Sequence, residues 1–401
     1  MFDANFIADP YPTYQHLLAS GHLHWMEKYG NGVWFVPHYA DVMAIFRDPR
    51  VVTLGTRAIL GQYPPEEREN LREIQEIMGP WLVFLNGQDH LRLRRLLNKA
   101  FTPRVLEDLR PGVQELADEL IDAVQERGTI ELMGEFAHPL PAMVIAQLLG
   151  VPRADRPRFV DWSNQMMAFF TGLRASIEVA YRAQAAIVAT RDYFRSIVEE
   201  RRRQPGTDLI SLMIAVEEQG DMLTEDQLLA QCVLFLFAGH ETTRNLIGNG
   251  VLTLLQHPEQ YALLQQNRGL IRGAIDEMVR YESPLQLTSR VAAAPIEMHG
   301  QLVQPGQMFQ LMLGAANRDP AVFADPDRFD ITRVDTRPAS FAFGPHTCIG
   351  MPLAYLEAEI AILTLTRRLH NLRLTEEKPD WIANVAFRGL RSLPLAFDPA
   401  H

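Results

Sequence analysis

FAFGPHTCIG, residues 341–350, places one of only two cysteines in the chain two residues after His346 and fences it with glycines. MPLAYLEAEIAILTLTRRL follows at once and reads as a long helix. A cysteine at the mouth of a helix sits where backbone N–H groups and the macrodipole favour negative charge, which suits a thiolate. Gly344 and Gly350 let the backbone approach something flat and bulky, or let amides point at the Cys348 sulfur. His346 can reach a nearby anionic group. An inert packed thiol is the competing reading of a lone cysteine, and it is the one expected for Cys232, which lies among Leu and Phe.

Composition narrows what such a thiolate serves. Two cysteines allow neither a disulfide framework nor a four-cysteine metal or iron–sulfur site. A formal net charge of -11 disfavours nucleic acid and anionic membrane as partners. There is no basic leader before an apolar core, and no uncharged apolar run of about 18 residues. A cytoplasmic protein without a membrane anchor is therefore expected.

The pattern is mainly helical from about Asp89 to Leu369. Strand-like pieces occur around GNGVWFVPHYADVMAIF, where a helix begins near His38, and again over 285–294 and 296–309. The end, IANVAFRGLRSLPLAF, reads as a hairpin. The expected fold is mainly α with small β-sheets: a mixed part over about 1–60 and a helix-rich part over about 61–401.

One helix stands out in LTEDQLLAQCVLFLFAGHETTRNLIGNGVLTLLQHP. Thr224 and Gln227 have capping-box spacing, and Pro258 ends the run. About 32 residues at ~1.5 Å rise span nearly 50 Å, enough to cross the molecule. Inside this apolar rod sit His240, Glu241, Thr242 and Thr243, whose burial requires partners. One reading is a helix kinked at Gly239 with Thr hydroxyls bonded back to carbonyls. The other is a widened groove where a small ligand or water meets an acid and a hydroxyl.

Two further patterns matter. Glu277 and Arg280 lie three apart in GAIDEMVRYESP among apolar neighbours, so the pair is expected to be partly buried with a further partner such as Arg328. In NGQDHLRLRRLLNKAFTPR, His90 and Arg94 share a helix face, while Arg92, Arg95, Lys99 and Arg104 form a basic cluster in an acidic protein.

Together these residues resemble the cytochrome P450 haem-thiolate monooxygenases, particularly the soluble bacterial type. The cysteine loop matches Phe-x-x-Gly-x-His-x-Cys-x-Gly, and Ala238-Gly239-His240-Glu241-Thr242-Thr243 is similar to the family's oxygen-activating motif. Glu277-x-x-Arg280 and Pro326-Asp327-Arg328-Phe329 follow in order, so the likeness spans the chain. It implies the P450 fold: one triangular-prism-like haem domain over 1–401, crossed by the long central helix. It implies haem b (iron protoporphyrin IX) with Cys348 as the axial ligand of the iron. Phe341, Gly344, Gly350, Ala238 and Gly239 would lie against the haem, and His90, Arg94, Arg290 and His346 would bind its propionates. Glu241 and Thr242 would supply protons for oxygen activation, and Glu277, Arg280 and Arg328 would form a structural network. By analogy the substrate pocket draws on segments that include 166–173, with Leu234, Ala238, Leu285, Leu287 and Phe387 as lining residues. No nucleotide-binding glycine fingerprint occurs, so a separate ferredoxin or flavodoxin with its reductase is expected to deliver electrons. O2 and an apolar organic substrate complete the reaction. A peroxide-driven hydroxylase, a gas-binding haem protein and a haem-free structural protein are the alternatives. Ala342 departs from the family, which often carries glycine there.

Overall fold

The computed structural model describes residues 2–27, 32–170, 175–218, 220–334, 336–376 and 378–399. Its chain divides into two compact units. The first comprises 1–52, 117–137 and 242–401; the second comprises 53–116 and 138–241.

The first unit holds the main sheet, in the order His24–Met26, Val33–Val36, Met308–Met312, Leu287–Ala292, Val51–Val52. Val33–Val36 is buried at every position and runs parallel to Met308–Met312, with Met308 opposite Val33. Continuous apolar sequence suits a strand covered on both faces. Its core gathers Val36, Val42, Ile45, Phe46, Phe309 and Leu311. Helix Tyr39–Arg47 starts after His38, as expected, and buries Val42, Ile45 and Phe46 at helical spacing.

The expected strands are shorter than their apolar runs. Residues 296–303 form a separate hairpin, Ile296–Met298 with Gln301–Val303, turning through His299 and Gly300 at positive φ. The C-terminal segment is not one hairpin. Leu390–Ser392 pairs with Asp380–Trp381, whereas Pro394–Asp398 pairs with His370–Leu374 and Thr129–Glu131. Leu393 lies between the last two strands, its amide bonded to the Glu131 carboxylate at 2.7 Å.

The second unit is almost wholly helical. It includes Gly87–Ala100, Pro139–Leu148, Arg156–Phe170, Ile177–Arg203 and Leu209–Ala215. The long helix runs unbroken from Glu225 to Gln256, and the division between units falls between Glu241 and Thr242. Its capping box forms: the Thr224 amide donates to Gln227 Oε1 and the Gln227 amide to Thr224 Oγ1, each at 3.2 Å. Among the described residues no helix is long and apolar enough to cross a membrane.

Candidate active site

In the first unit, a tight loop presents Cys348. The chain leaves the turn Ala339–Phe341, passes Ala342, turns again through Gly344–His346 and reaches Gly350, which caps helix Met351–Arg368. The Cys348 amide donates to the Phe341 carbonyl at 2.8 Å, closing the loop. A Cβ on Gly344 would stand 2.9 Å from the Phe46 carbonyl, and its φ is +72°, so glycine alone fits. Cys348 is exposed, whereas Cys232 is buried and its thiol is pushed far above the ordinary range by desolvation. Phe341 packs on Tyr355 with ring centroids 5.4 Å apart. His346 is half-buried on the same loop.

A buried ion network holds this loop. Helix Ile271–Tyr281 turns Glu277 and Arg280 inward, and both side chains are fully buried. Arg280 Nε and Nη2 meet the two Glu277 oxygens at 2.6 and 2.7 Å, a bidentate pair. The other Arg280 donors reach the carbonyls of Asn317, Pro326 and Arg328 at 3.0, 2.7 and 3.1 Å. The Asn317 side chain then accepts the Ala339 amide at 2.7 Å and donates to Ser340 Oγ at 2.9 Å. The pair is thus linked by successive bonds to the turn that begins the cysteine loop.

The arginine side chain that joins Glu277 from outside the helix is Arg333, not the expected Arg328. Arg333 Nε lies 3.3 Å from Glu277 Oε2 and is largely buried. The Arg328 side chain is 66% exposed, points to Asp330, and joins the network only through its carbonyl. The Asp330 amide donating to Glu277 Oε1 at 2.9 Å turns the chain so that Arg333 returns to the carboxylate.

Arg290 lies on strand Leu287–Ala292. Its guanidinium donates to the Ser289 carbonyl at 2.8 Å and sits 5.0 Å from the centre of the Phe46 ring. Burial pulls its pKa down to about 10, and among the described residues no carboxylate pairs with it. A desolvated cation without a counter-ion is costly, and a bound carboxylate relieves that cost.

In the second unit, helix Gly87–Ala100 carries His90 and Arg94 one turn apart. His90 is buried, and desolvation, with the Arg94 charge second, lowers its pKa to about 4. It is therefore a neutral imidazole at neutral pH, able to donate one N–H. Of the basic cluster, Arg95, Lys99 and Arg104 are exposed. Arg92 instead turns to Gln227 Oε1 at 2.9 Å and to Asp221 at 3.5 Å.

The long helix is buried over most of its middle, yet Ala238 is exposed and Phe237, Gly239 and Thr242 are half-buried. One accessible stripe thus interrupts an otherwise packed rod. Gly239 does not break the helix. A Cβ there would stand 2.6 Å from Ile145 Cδ1, so its smallness serves contact with helix Pro139–Leu148. His240 Nε2 faces the His138 carbonyl at 3.0 Å and must donate, which leaves Nδ1 to accept from Ser163 Oγ at 2.7 Å when the ring is neutral. His240 is therefore an anchor for this stretch. Glu241 is buried.

The expected pocket residues separate. Leu285 and Phe387 bridge two backbone segments and are half-buried. Leu287 packs with Phe6, Tyr14, Phe35 and Met312 and is a core residue of the first unit. Leu234 is buried. Of segment 166–173, Met166, Met167 and Phe169 are buried, and residues 171–173 lie outside those described. Arg333, Asn317 and the Ser163–His240 bond were absent from the sequence reading. Their partners lie tens of residues away and carry no fixed spacing.

Within the first unit the donor set fits a haem: an accessible thiol on a constrained loop and a desolvated arginine lacking a carboxylate.

The chain matches the family described as Cytochrome P450 over residues 58–384. It is similar to the "Biotin biosynthesis cytochrome P450" of Bacillus subtilis, 38% identical over 98% of both chains. It is also similar to the "Cytochrome P450 monooxygenase PikC" of Streptomyces venezuelae, 37% identical over 98% of this chain and 92% of that one. Among solved structures, P450BioI in complex with hexadec-9Z-enoic acid ligated acyl carrier protein superposes with a TM-score of 0.91 at 37% identity, covering 98% of this chain and 99% of that one. CYP267B1, a myxobacterial cytochrome P450 in complex with myristic acid, superposes with a TM-score of 0.87 at 37% identity over 100% of this chain and 99% of that one. With its accessible loop cysteine, its mid-helix Glu-Thr motif and these likenesses over nearly its whole length, the chain belongs to the cytochrome P450 family, has the P450 fold and is a monooxygenase.

Proposed function

We propose that the protein binds haem b through Cys348 and uses O2 and two externally supplied electrons to hydroxylate an apolar organic substrate. When bound, the thiolate-ligated haem supplies the redox chemistry, the thiolate pushing electron density so that O–O cleavage is favoured. The balance is one C–H bond and one O2 consumed with two electrons and two protons, giving one alcohol and one water.

The residues of the chain divide that work. Cys348 Sγ is the ligand, and the loop closed by its amide keeps it in place. Arg290, His90, Arg94 and His346 hold the propionate carboxylates, by charge at the arginines and by N–H donation at the neutral His90. Ala238 and Gly239, small and accessible on the long helix, would lie against the haem. Thr242 Oγ1 hands on a proton and the Glu241 carboxyl resupplies it through water. Leu285 and Phe387 present apolar surface to the substrate. Arg95, Lys99 and Arg104 dock an acidic electron carrier, a ferredoxin or flavodoxin.

The observation that carries this reading is the exposed Cys348 on a loop fixed by the buried Glu277–Arg280–Asn317 chain. The O2-driven route is favoured over the peroxide-driven one because Glu241 and Thr242 are both present. Thr242→Ala is expected to keep haem and substrate binding while diverting reducing equivalents into peroxide. Product and peroxide measured against electrons consumed check this, and unchanged coupling contradicts the proton role. Fatty acids offered free and linked to an acyl carrier protein are suitable first substrates, since two structural relatives carry such chains. A shift in the haem spectrum reports binding, and product analysis reports turnover.

A further inference from the structure

His22, Asp41 and His299 converge in the first unit from three separate segments. His22 Nδ1 lies 2.7 Å from Asp41 Oδ2, and His299 Nε2 lies 2.8 Å from Asp41 Oδ1. One ligand atom from each residue lies within 4.8 Å of the others. The carboxylate is nearly buried, while the two imidazoles remain 50% and 39% exposed, so an ion can reach them from solvent.

The scaffold around them is built. Asp41 occupies the first turn of helix Tyr39–Arg47, whose start is fixed by the Asp319 carboxylate accepting the Tyr39 amide at 3.0 Å. His38 bonds the same Asp319 at 3.2 Å and stacks on His22 with ring centroids 4.2 Å apart. His22 stacks in turn on His299 at 4.0 Å. His299 is held at φ +50° beside Gly300 at +74°, the two central positions of a two-residue hairpin turn. Asn or Gly are the favoured residues at the first of these positions, so a histidine there accepts backbone strain.

We propose that His22, Asp41 and His299 form a binding site for a divalent transition metal of the zinc type. Two imidazole nitrogens, one carboxylate oxygen and a water supply four ligands of the chemistry zinc takes. Tetrahedral donors about 2.0–2.1 Å from the ion sit roughly 3.3 Å apart. The imidazole bonded to the ligating oxygen must move away by about half an ångström, and no other pair of donors must close by more than about 1.5 Å. Rotation of two exposed rings about χ1 and χ2 accommodates both. The bound ion would tie the segment before the first strand to helix Tyr39–Arg47 and to the hairpin. That helix supplies the Phe46 carbonyl against which Gly344 packs, so the clip braces the cysteine loop from behind.

The test uses untagged, haem-loaded, full-length protein freed of metal by chelator. Zinc is titrated calorimetrically at pH 7.5, and melting is followed with and without zinc. The wild type is expected to bind one zinc per chain in the micromolar range or tighter, with a saturable rise in Tm. His299→Asn suits the positive φ and should fold at least as well without metal, yet lose tenfold or more in affinity. His22→Gln should lose a similar factor. Absence of one-to-one binding to the wild type overturns the proposal. Undiminished affinity in both variants also overturns it, by placing the zinc elsewhere.

Discussion

Ala342 is held at φ +55° and ψ −179°, a region open to glycine and strained for any residue with a Cβ. Such strain costs on the order of 1–3 kcal/mol, while glycine adds roughly 0.4–1 kcal/mol of chain entropy to the unfolded state. Ala342→Gly is therefore expected to stabilise the haem-loaded protein by about 1 kcal/mol. Urea denaturation checks this, and a loss of stability would show that the loop relaxes around alanine at no cost. The departure from the family was visible in the sequence, but its consequence was not, because a dihedral angle is not written in a residue name. Gly344 was legible as glycine for close approach, although the object approached, the Phe46 carbonyl, lies almost three hundred residues earlier. Gly239 was read as a kink or a groove, whereas the atom that requires it is Ile145 Cδ1.

At the scale of elements, the helices Ile271–Tyr281 and Met351–Arg368 pack apolar side chains around Phe341, and the Asn317 side chain links the Val279 carbonyl of the first helix to the Ala339 amide of the turn. Removing one partner of a buried bidentate pair strands the other charge, at about 3–5 kcal/mol. Glu277→Gln is expected to cost that much and to loosen haem retention. Arg333→Met should cost less, since Arg280 still satisfies the carboxylate, and Arg328→Ala should fall within about 0.5 kcal/mol, as an exposed side chain does. Equilibrium unfolding of the three variants orders them, and a larger loss at Arg328 than at Arg333 contradicts the assignment. Sequence order made Arg328 the natural third member. The Asp330 turn moves that role five residues on, and such chain reversals leave no periodic trace. The long helix was legible because its cap, its length and its terminating Pro258 are all local signals. The C-terminal strands were not, because Leu390–Ser392 and Pro394–Asp398 look like two arms of a hairpin until partners from elsewhere claim them.

At the scale of the molecule, a net charge of -11 coexists with exposed Arg95, Lys99 and Arg104 close together in sequence. If these dock an acidic carrier, reduction by that carrier slows as ionic strength rises, because the Debye length falls from ~10 Å at 0.1 M salt to ~3 Å at 1 M. Stopped-flow reduction across that range checks this, and a flat salt response contradicts the docking site. All these roles depend on Cys348 as the ligand of the haem iron. The most direct test is the ferrous carbon monoxide spectrum of Cys348→Ser beside the wild type. The wild type should give the thiolate-type band and the variant should lack it, whether or not it retains haem. Persistence of that band in the variant would place the sulfur ligand elsewhere and contradict the account.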